Sequence, residues 1–481
     1  MGRSLFLFLS GLLLTASLNS CYSTRASKGG GQTKAPPVRK IDVTDIVLPA
    51  GYRIELVAQG LTFPTAMTFD EKGSPYVIES GYSYGEVWTH PRLLRIDKGN
   101  LTPVATGEKN GPWTGVTWHN GQFYVSEGGQ MSGGKILKIS PEGKITAIAE
   151  GLPGMADHHT NGPVIKDNYI YFGVGTATNS GVVGPDNAEF GWLKRHPDLH
   201  DIPCGDIILT GANFESDNPL SGNTGKAITG PYKAFNTAAK DNEVVKGTVP
   251  CTGAILRVPL AGGKPELVAW GLRNPYALAL DQKERLFATE NGADDRGSRP
   301  LWGCGDVLWE IKPGAWYGWP DYAEGKPVNY FKAPGGPELH PVLKQQPGTV
   351  PKPVAVLAVH SSSNGLDFSR NSDFGFTGEA FIAQFGDMAP NVGKVLKPVG
   401  FKVVRVNTES GVVETFAVNK GRNNGPASRL GNGGLERPVS VKFSPDGKSL
   451  YIVDFGILKM IDGATIPQPN TGVIWKVSIN Q

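Results

Sequence analysis

One phrase recurs six times along this chain: an apolar run, a tight turn, a second apolar run, and an acidic or glycine-rich end. It reads FPTAMTFDEKGSPYVIESG from Phe63, GPWTGVTWHNGQFYVSEGG from Gly111 and HTNGPVIKDNYIYFGVGTAT from His159. It returns as RNPYALALDQKERLFATENG from Arg273, SSNGLDFSRNSDFGFTGEAFIAQFG from Ser362 and RPVSVKFSPDGKSLYIVDFG from Arg437. β-branched and aromatic runs between turn residues, repeated every 40–50 residues or so, are the mark of a propeller. One such unit cannot cover its own faces, so neighbours must pack radially around an axis.

The first three copies start at residues 63, 111 and 159, so each interval is 48 residues, enough for one four-stranded blade. A short strand closes each unit: RLLRID, KILKIS, AILRVP, VLWEIK, KVVRVN and VIWKVS. Another element, YRIELVAQGLTFP at Tyr52, recurs as KITAIAEGLP at Lys144 and PELVAWGLRNP at Pro265. It reads as an outer strand whose chain crosses to the next blade. Its first occurrence precedes the first full copy, so it can pair with the last blade and leave no free radial edge. The expected fold is all-β: one six-bladed β-propeller over 41–481, with blades three and five stretched by loops. The interruption in blade three spans about 179–252.

Composition agrees. The 64 glycines and 37 prolines are far more turn punctuation than a helical protein needs. A net charge of +3 without a run of five Lys/Arg excludes nucleic acid as a partner class.

Arg3 precedes the apolar run Leu5–Leu18, which is short for a bilayer span and is followed by small polar residues. Residues 1–20 read as an export signal, and Leu18-Asn19-Ser20-Cys21 resembles a bacterial lipoprotein processing site. Cys21 is then the lipidated residue; the other reading is an ordinary secretory signal cleaved nearby. Residues 21–40 form a Gly/Ser/Pro/Lys tether with nothing to bury. The expected location is the cell envelope, with membrane contact only through the lipid anchor. Disulfides persist there. Cys204 and Cys251, each after a proline, bracket the long insertion, so joining them ties it down and leaves Cys304 over. No CxxC, CxxCH or zinc-ligand spacing is present, which argues against haem and structural zinc.

Inner-strand starts line one mouth of a propeller's channel. His159 opens copy three there, and a neutral imidazole could take a hydroxyl proton as hydride leaves the same carbon. The bland alternative is that His159, like His158, only hydrogen-bonds loop backbone. His360, just ahead of copy five, holds the matching place. Copy four ends Glu290-Asn291-Gly292-Ala293, where an amide oxygen and two backbone carbonyls suit a hard cation such as calcium; an ordinary Asn-Gly turn explains them too. Arg437 opens copy six, and its guanidinium suits a carboxylate, or a pairing with Glu436 or Asp454. Trp316-Tyr317-Gly318-Trp319-Pro320 could wall a sugar or ring, although core packing is the default.

Together these segments carry a resemblance. GLRNPYALALD, ATENGADDRG, GAWYGWPD and DHHTNGPVIKDNYIYFGVGT resemble the soluble glucose/sorbosone dehydrogenase family, nearest its sorbosone-type branch by spacing. Members are six-bladed propellers that bind pyrroloquinoline quinone (PQQ) and calcium. The resemblance implies His159 as catalytic base and calcium on the carbonyls of Gly292 and Ala293. It implies Arg437 as a quinone-carboxylate partner and Asn291 beside the metal. With Asn179 and His360 these make up the candidate cofactor set. Two slots depart from the pattern: glucose-type members carry Arg-Asn where this chain has Asn179-Ser180. They also carry a lysine where it has Asp387, the nearest cations being Lys394 and Lys397.

The function implied is an exported quinoprotein oxidising a sugar or sugar aldehyde and passing electrons to an external acceptor. Two other classes use the same architecture. A calcium-dependent lactonase needs a carboxylate cage at the axis, and Glu79, Glu127 and Glu290 lie at matching ends of three copies. A non-catalytic carbohydrate- or protein-binding propeller needs neither.

Overall fold

Each of the six phrases becomes the two inner strands of a four-stranded antiparallel sheet, and the six sheets are the blades. Blade one runs Pro64–Phe69, Pro75–Glu79, Arg92–Asp97 and Asn100–Thr106 from the axis outward. The inner strands of the other blades are Trp113–His119, Thr160–Lys166, Pro275–Leu280, Ser363–Phe368 and Pro438–Phe443. This computed structural model describes residues 34–222, 224–388, 397–461 and 464–480. The expected export signal, Cys21, most of the expected tether and Lys394 lie outside the described residues.

A strand sandwiched between two other blades has two buried faces, and its residues alternate between them. Along Gln122–Glu127 of blade two, Phe123 and Val125 pack with Ile78 and Leu93 of blade one. Tyr124 between them packs with Ile170 and Phe172 of blade three. The core is therefore six apolar interfaces between neighbouring blades.

Near the axis the inner strands approach so closely that some positions admit no side chain. A Cβ on Gly115 would lie 1.3 Å from the Gly162 carbonyl oxygen of the next blade, and one on Gly365 would lie 2.3 Å from Ser440 Cα. Both glycines belong to the repeated phrase.

The ring closes as the outer-strand reading expects. Tyr52–Leu61 pairs antiparallel with Gly472–Ile479, from Tyr52 opposite Ile479 to Leu61 opposite Gly472, as the fourth strand of blade six. Ile46–Val47 adds a short fifth strand to blade five.

Insertions crown one mouth. Between its second and third strands blade three carries residues 175–253, with two one-turn helices, Asp186–Glu189 and Trp192–Arg195, and two small hairpins. Cys204 and Cys251 are joined, with Cα atoms 5.1 Å apart, and Cys304 is a buried free thiol. Blade five has the expected long connection, residues 385–401 between its second and third strands, but a larger excursion that was not expected is residues 311–354 of blade four, between its third and fourth strands. It packs on the first insertion through Ile207, Leu209, Trp316, Trp319, Val342 and Leu343. The Trp316–Trp319 segment is thus core between the insertions and not a ligand wall. Hairpins from blade one (Tyr82–Ser83 with Val87–Trp88) and blade six (Leu458–Ile461 with Ala464–Pro467) complete the crown.

Candidate active site

The acidic ends of the repeats have a structural task. In blade six Asp454 accepts from the backbone N–H groups of Glu436 and Arg437, both at 2.9 Å, and from the Trp475 indole at 3.2 Å. In blade four Glu290 accepts from the Arg273 backbone N–H and the Trp309 indole. Burial pushes the Glu290 carboxyl up to about 7 against these donors. Glu127 takes Asn110 and the Trp113 indole, and Glu79 takes the Thr62 N–H and Arg92. Each acid latches the incoming chain of its own blade. The carboxylate cage a lactonase needs is not formed by them, and no group of three metal-ligating side chains occurs among the described residues.

Above these latches lies a cavity of about 360 Å³ at the crowned mouth. Tyr82, Tyr84, Phe190, Phe385 and Phe455 wall it, and His158, His159, Arg273, Arg296, Asp294 and His360 supply its polar groups. The aromatic walls come from blade one's hairpin, blade three's insertion and blades five and six, so no single sequence segment announces them.

A charge network runs along one side. Arg296 donates to Asp157, to Asp186 at 2.7 Å and to Asp294 at 3.0 Å. Arg273 reaches Asp294 at 3.2 Å and the Asn179 side chain at 3.0 Å. Buried carboxylates ordinarily resist ionisation, yet the guanidiniums outweigh that cost and hold both Asp157 and Asp294 below the usual range.

The three histidines differ sharply. Burial lowers His158 to about 3. Its Nδ1 donates to the Thr176 carbonyl at 2.9 Å, which leaves the Nε2 lone pair facing Asp157 Oδ2 at 3.6 Å. Burial likewise lowers His159 to about 4, and its ring stands beside Tyr82 and Tyr84, with centroids 6.0 and 6.3 Å away. His159 Nε2 lies 3.1 Å from Gln130 Nε2. For His360 burial acts against the charged form, but the hydrogen bond and charge of Asp294 outweigh it, so its pKa is raised. Its Nδ1 is 3.1 Å from Asp294 Oδ1, and its buried Nε2 has no partner among the described residues.

Of the residues nominated from sequence, His159, His360, Asn291 and Gly292 line this cavity. Ala293 is buried behind Gly292. Gly292 donates its N–H to Asp306 at 2.9 Å, and Asn291 donates to Ser363 O and Asn364 Oδ1. Asn179 is off the lining; its amide bonds Asp294 O at 2.7 Å and Arg296 O at 3.1 Å, shaping the 291–296 loop. Arg437 is not brought to the cavity either. Its guanidinium is fully buried between Phe385 and Phe401, and its Nη1 donates to the carbonyls of Gly386 and Asp387, both at 3.2 Å. Burial lowers its pKa to about 10. Sequence reasoning missed Arg273, although it opens copy four as His159 opens copy three; the same positional argument would have found it. It also missed Arg296, which has no such signal.

Comparison with known proteins now bears on this mouth. Residues 246–391 match the Glucose / Sorbosone dehydrogenase family. The matched segment holds the third and fourth strands of blade three, all of blade four and the two inner strands of blade five, with Arg273, Asn291–Asp294 and His360. No curated protein matches the chain. The propeller is similar to the holo form of the pyranose dehydrogenase PQQ domain from Coprinopsis cinerea. The two share 15% identity over 94% of this chain and 99% of that one, with a TM-score of 0.53. It is similar to the PQQ-bound aldose sugar dehydrogenase from Streptomyces coelicolor at 17% identity, covering 90% and 100%, TM-score 0.50. It also resembles a calcium structure of a Trichoderma reesei Carbohydrate-Active Enzymes Family AA12 protein, at 16% identity over 92% and 98%, TM-score 0.51. At these identities the likeness establishes the six-bladed fold.

Proposed function

We propose that this protein is an exported quinoprotein dehydrogenase that oxidises a sugar or sugar aldehyde, with PQQ as cofactor and calcium beside it. The cavity carries the reading: aromatic rings face two guanidiniums and three histidines, and Arg273, Arg296 and His360 among them fall in the family-matched segment. The structural neighbours support it: one is a PQQ-bound form, one the holo form of a PQQ domain, and one a calcium structure.

The donor set fits both groups when they are taken together. Asp157, Glu189, Asp294, Asp306 and Asp387 line the cavity against Arg273 and Arg296, so a tricarboxylate alone meets excess negative charge. A divalent cation offsets that charge, and Gly292 and Ala293 would offer it hard carbonyl oxygens. Arg273, Arg296, Asn291 and His360 would then stand around the anion, with Asn179 and Arg437 supporting the loops from behind. A bound quinone supplies two-electron acceptance as hydride. This chain's own contribution is to hold the sugar against the aromatic walls, exclude water beneath the insertions, and accept the hydroxyl proton on a cavity histidine. His159 is the one its motif nominates. Cys21 would tether the enzyme to a membrane, and the electrons would pass to an external acceptor. Among the described residues no helix is long and apolar enough to cross a bilayer.

The test is reconstitution. PQQ and calcium are added to metal-stripped protein, cofactor binding is followed by calorimetry, and dye reduction is measured with a panel of aldoses and ketoaldehydes. Saturable PQQ binding with sugar-dependent dye reduction is expected. Absence of PQQ binding overturns the reading and leaves a carbohydrate- or protein-binding propeller.

A further inference from the structure

The face opposite the crown carries a second cavity, and we propose that it binds a neutral carbohydrate chain. Inner strands start at the crown, so their far ends lie at the other mouth. There the strand ends of blades one, two, five and six, with the turns that follow in blades five and six, enclose a bowl of about 520 Å³. It is larger than the crowned cavity and falls within the ~300–1,000 Å³ of small-ligand sites. The two share no lining residue, and a narrower stretch of the axis, about 160 Å³, borders both. The site is thus separate from the sugar-oxidising mouth and does not depend on that reading.

Charge decides the class of ligand. Two cations line the bowl, Arg370 and Lys442, and so do two carboxylates, Asp367 and Asp446. Asp367 is buried and meets Arg370 Nη1 at 3.2 Å, Lys442 Nζ at 3.3 Å and the Phe443 N–H at 3.0 Å. Burial opposes ionisation of this carboxyl, but Lys442 and Arg370 outweigh it and hold the group below its usual range. Arg370 Nη2 donates to the Leu280 carbonyl of blade four. The two signs in the lining balance, so a phosphate or sulfate meets no uncompensated cation. A polyol, by contrast, finds donors and acceptors together. The lining residues Thr68, Thr117, Ser372, Ser444 and Asn371 add hydroxyls and an amide that can do both.

Trp118 supplies the apolar part. It lines the bowl half-buried, packed edge-on against Phe123 with ring centroids 4.5 Å apart. The face of an aromatic ring is negative and attracts the weakly positive C–H bonds on the apolar side of a pyranose. An aromatic ring beside paired charges and hydroxyls suits a ligand whose own surface is part C–H and part O–H.

The bowl is also held in shape before any ligand arrives. Thr68 Oγ1 accepts the Trp118 backbone N–H at 3.1 Å, tying blade two to blade one. Asn371 Nδ2 donates to the Asp446 carbonyl at 2.7 Å, joining the turns of blades five and six, and Lys448 pairs with Asp373 across the same gap at 2.9 Å. The Asp446 carboxylate is fixed in turn by Ser444 Oγ at 2.6 Å and the Lys448 N–H at 3.0 Å. Gly447, with φ of +69°, lies so close that a Cβ there would fall 2.8 Å from Asn371 Cβ. A wall already ordered saves the side-chain ordering cost that weak, neutral contacts cannot easily offset.

Calorimetry on the full chain, without cofactor, tests this. The probes are cellohexaose, xylohexaose, mannohexaose and maltohexaose, with inositol hexakisphosphate as the anionic comparison. At least one neutral oligosaccharide should bind saturably, with an affinity that changes less than about twofold between roughly 50 and 500 mM salt. Trp118→Ala should weaken it at least ~10-fold. Because Trp118 also packs on Phe123, Ser372→Trp serves as a second variant: it fills the bowl from an exposed turn and should abolish the same binding. Tyr84→Ala, in the crowned cavity, should leave it unchanged. Binding by none of the four oligosaccharides overturns the proposal, as does binding that survives both bowl variants or is lost in Tyr84→Ala. Preferential, salt-sensitive binding of inositol hexakisphosphate would overturn it too, making the bowl an anion site. Failure of PQQ to bind would sink the proposed function and leave this result untouched.

Discussion

His158 shows at the scale of one residue what burial does to a titratable ring. Its value in the folded protein, about 3, lies below the 6.5 of an exposed imidazole. The unfolded chain therefore binds a proton that the folded protein refuses. The stability this neutral ring contributes is complete above pH 6.5 and is lost as pH falls from 6.5 toward 3. His158→Asn should remove that slope. Between pH 6 and 4 the gap in unfolding free energy between wild type and variant should shrink by about 1.4 kcal/mol per pH unit. Parallel urea-unfolding curves across that range would refute burial as the cause. Arg273 teaches a second lesson. Mouth position singled out His159 and Arg437, but depth decided their fates: Arg273 faces the cavity while Arg437 props the 385–388 loop from behind.

At the scale of the element, the acidic strand ends explain why the repeated phrase closes as it does. Asp454 is fully buried and holds three backbone N–H groups, an indole and the Arg39 guanidinium. Asp454→Ala leaves that guanidinium buried and uncompensated, which should cost about 3–5 kcal/mol. Chemical denaturation measures it, and a loss under ~1 kcal/mol would show the latch to be incidental. The disulfide acts on one element only. Cys204→Ser with Cys251→Ser releases an insertion whose closure is worth up to ~4 kcal/mol in the chain-entropy view. Limited proteolysis should then cut first within 175–253, and because both cysteines pack in the interface between blades two and three, that interface should loosen before the other five.

For the whole molecule, ring closure is the decisive contact. Tyr52–Leu61 covers the edge of Gly472–Ile479, and without it blade six ends in an unpaired strand beside the interface containing Trp475 and Ile474. A chain beginning at residue 62 should aggregate or lose its single cooperative melt. One beginning at residue 46 keeps the strand and should melt cooperatively at a lower Tm, having lost Arg39. Calorimetry and size-exclusion chromatography distinguish these outcomes, and equal behaviour of the two truncations would refute a closure role.

The sequence pattern determined the number of blades, the pairing of the Tyr52–Leu61 strand with the last blade, and the cysteine pair framing the insertion. Each of these follows from local pattern: period-two alternation, turn chemistry and loop bracketing act over short stretches of chain. The second insertion escaped because residues 311–354 carry neither the phrase nor a cysteine frame. The candidate site was legible only at positions inside a motif, such as His159, His360 and Gly292. Which histidine has a free nitrogen, which arginine meets the cavity, and which acids are latches were decided by the tertiary structure. Those properties depend on neighbours from other blades: Gln130 beside His159, Asp294 beside His360, Phe385 and Phe401 around Arg437. A ring that joins residues hundreds of positions apart sets dielectric and hydrogen-bond partners that no single repeat encodes.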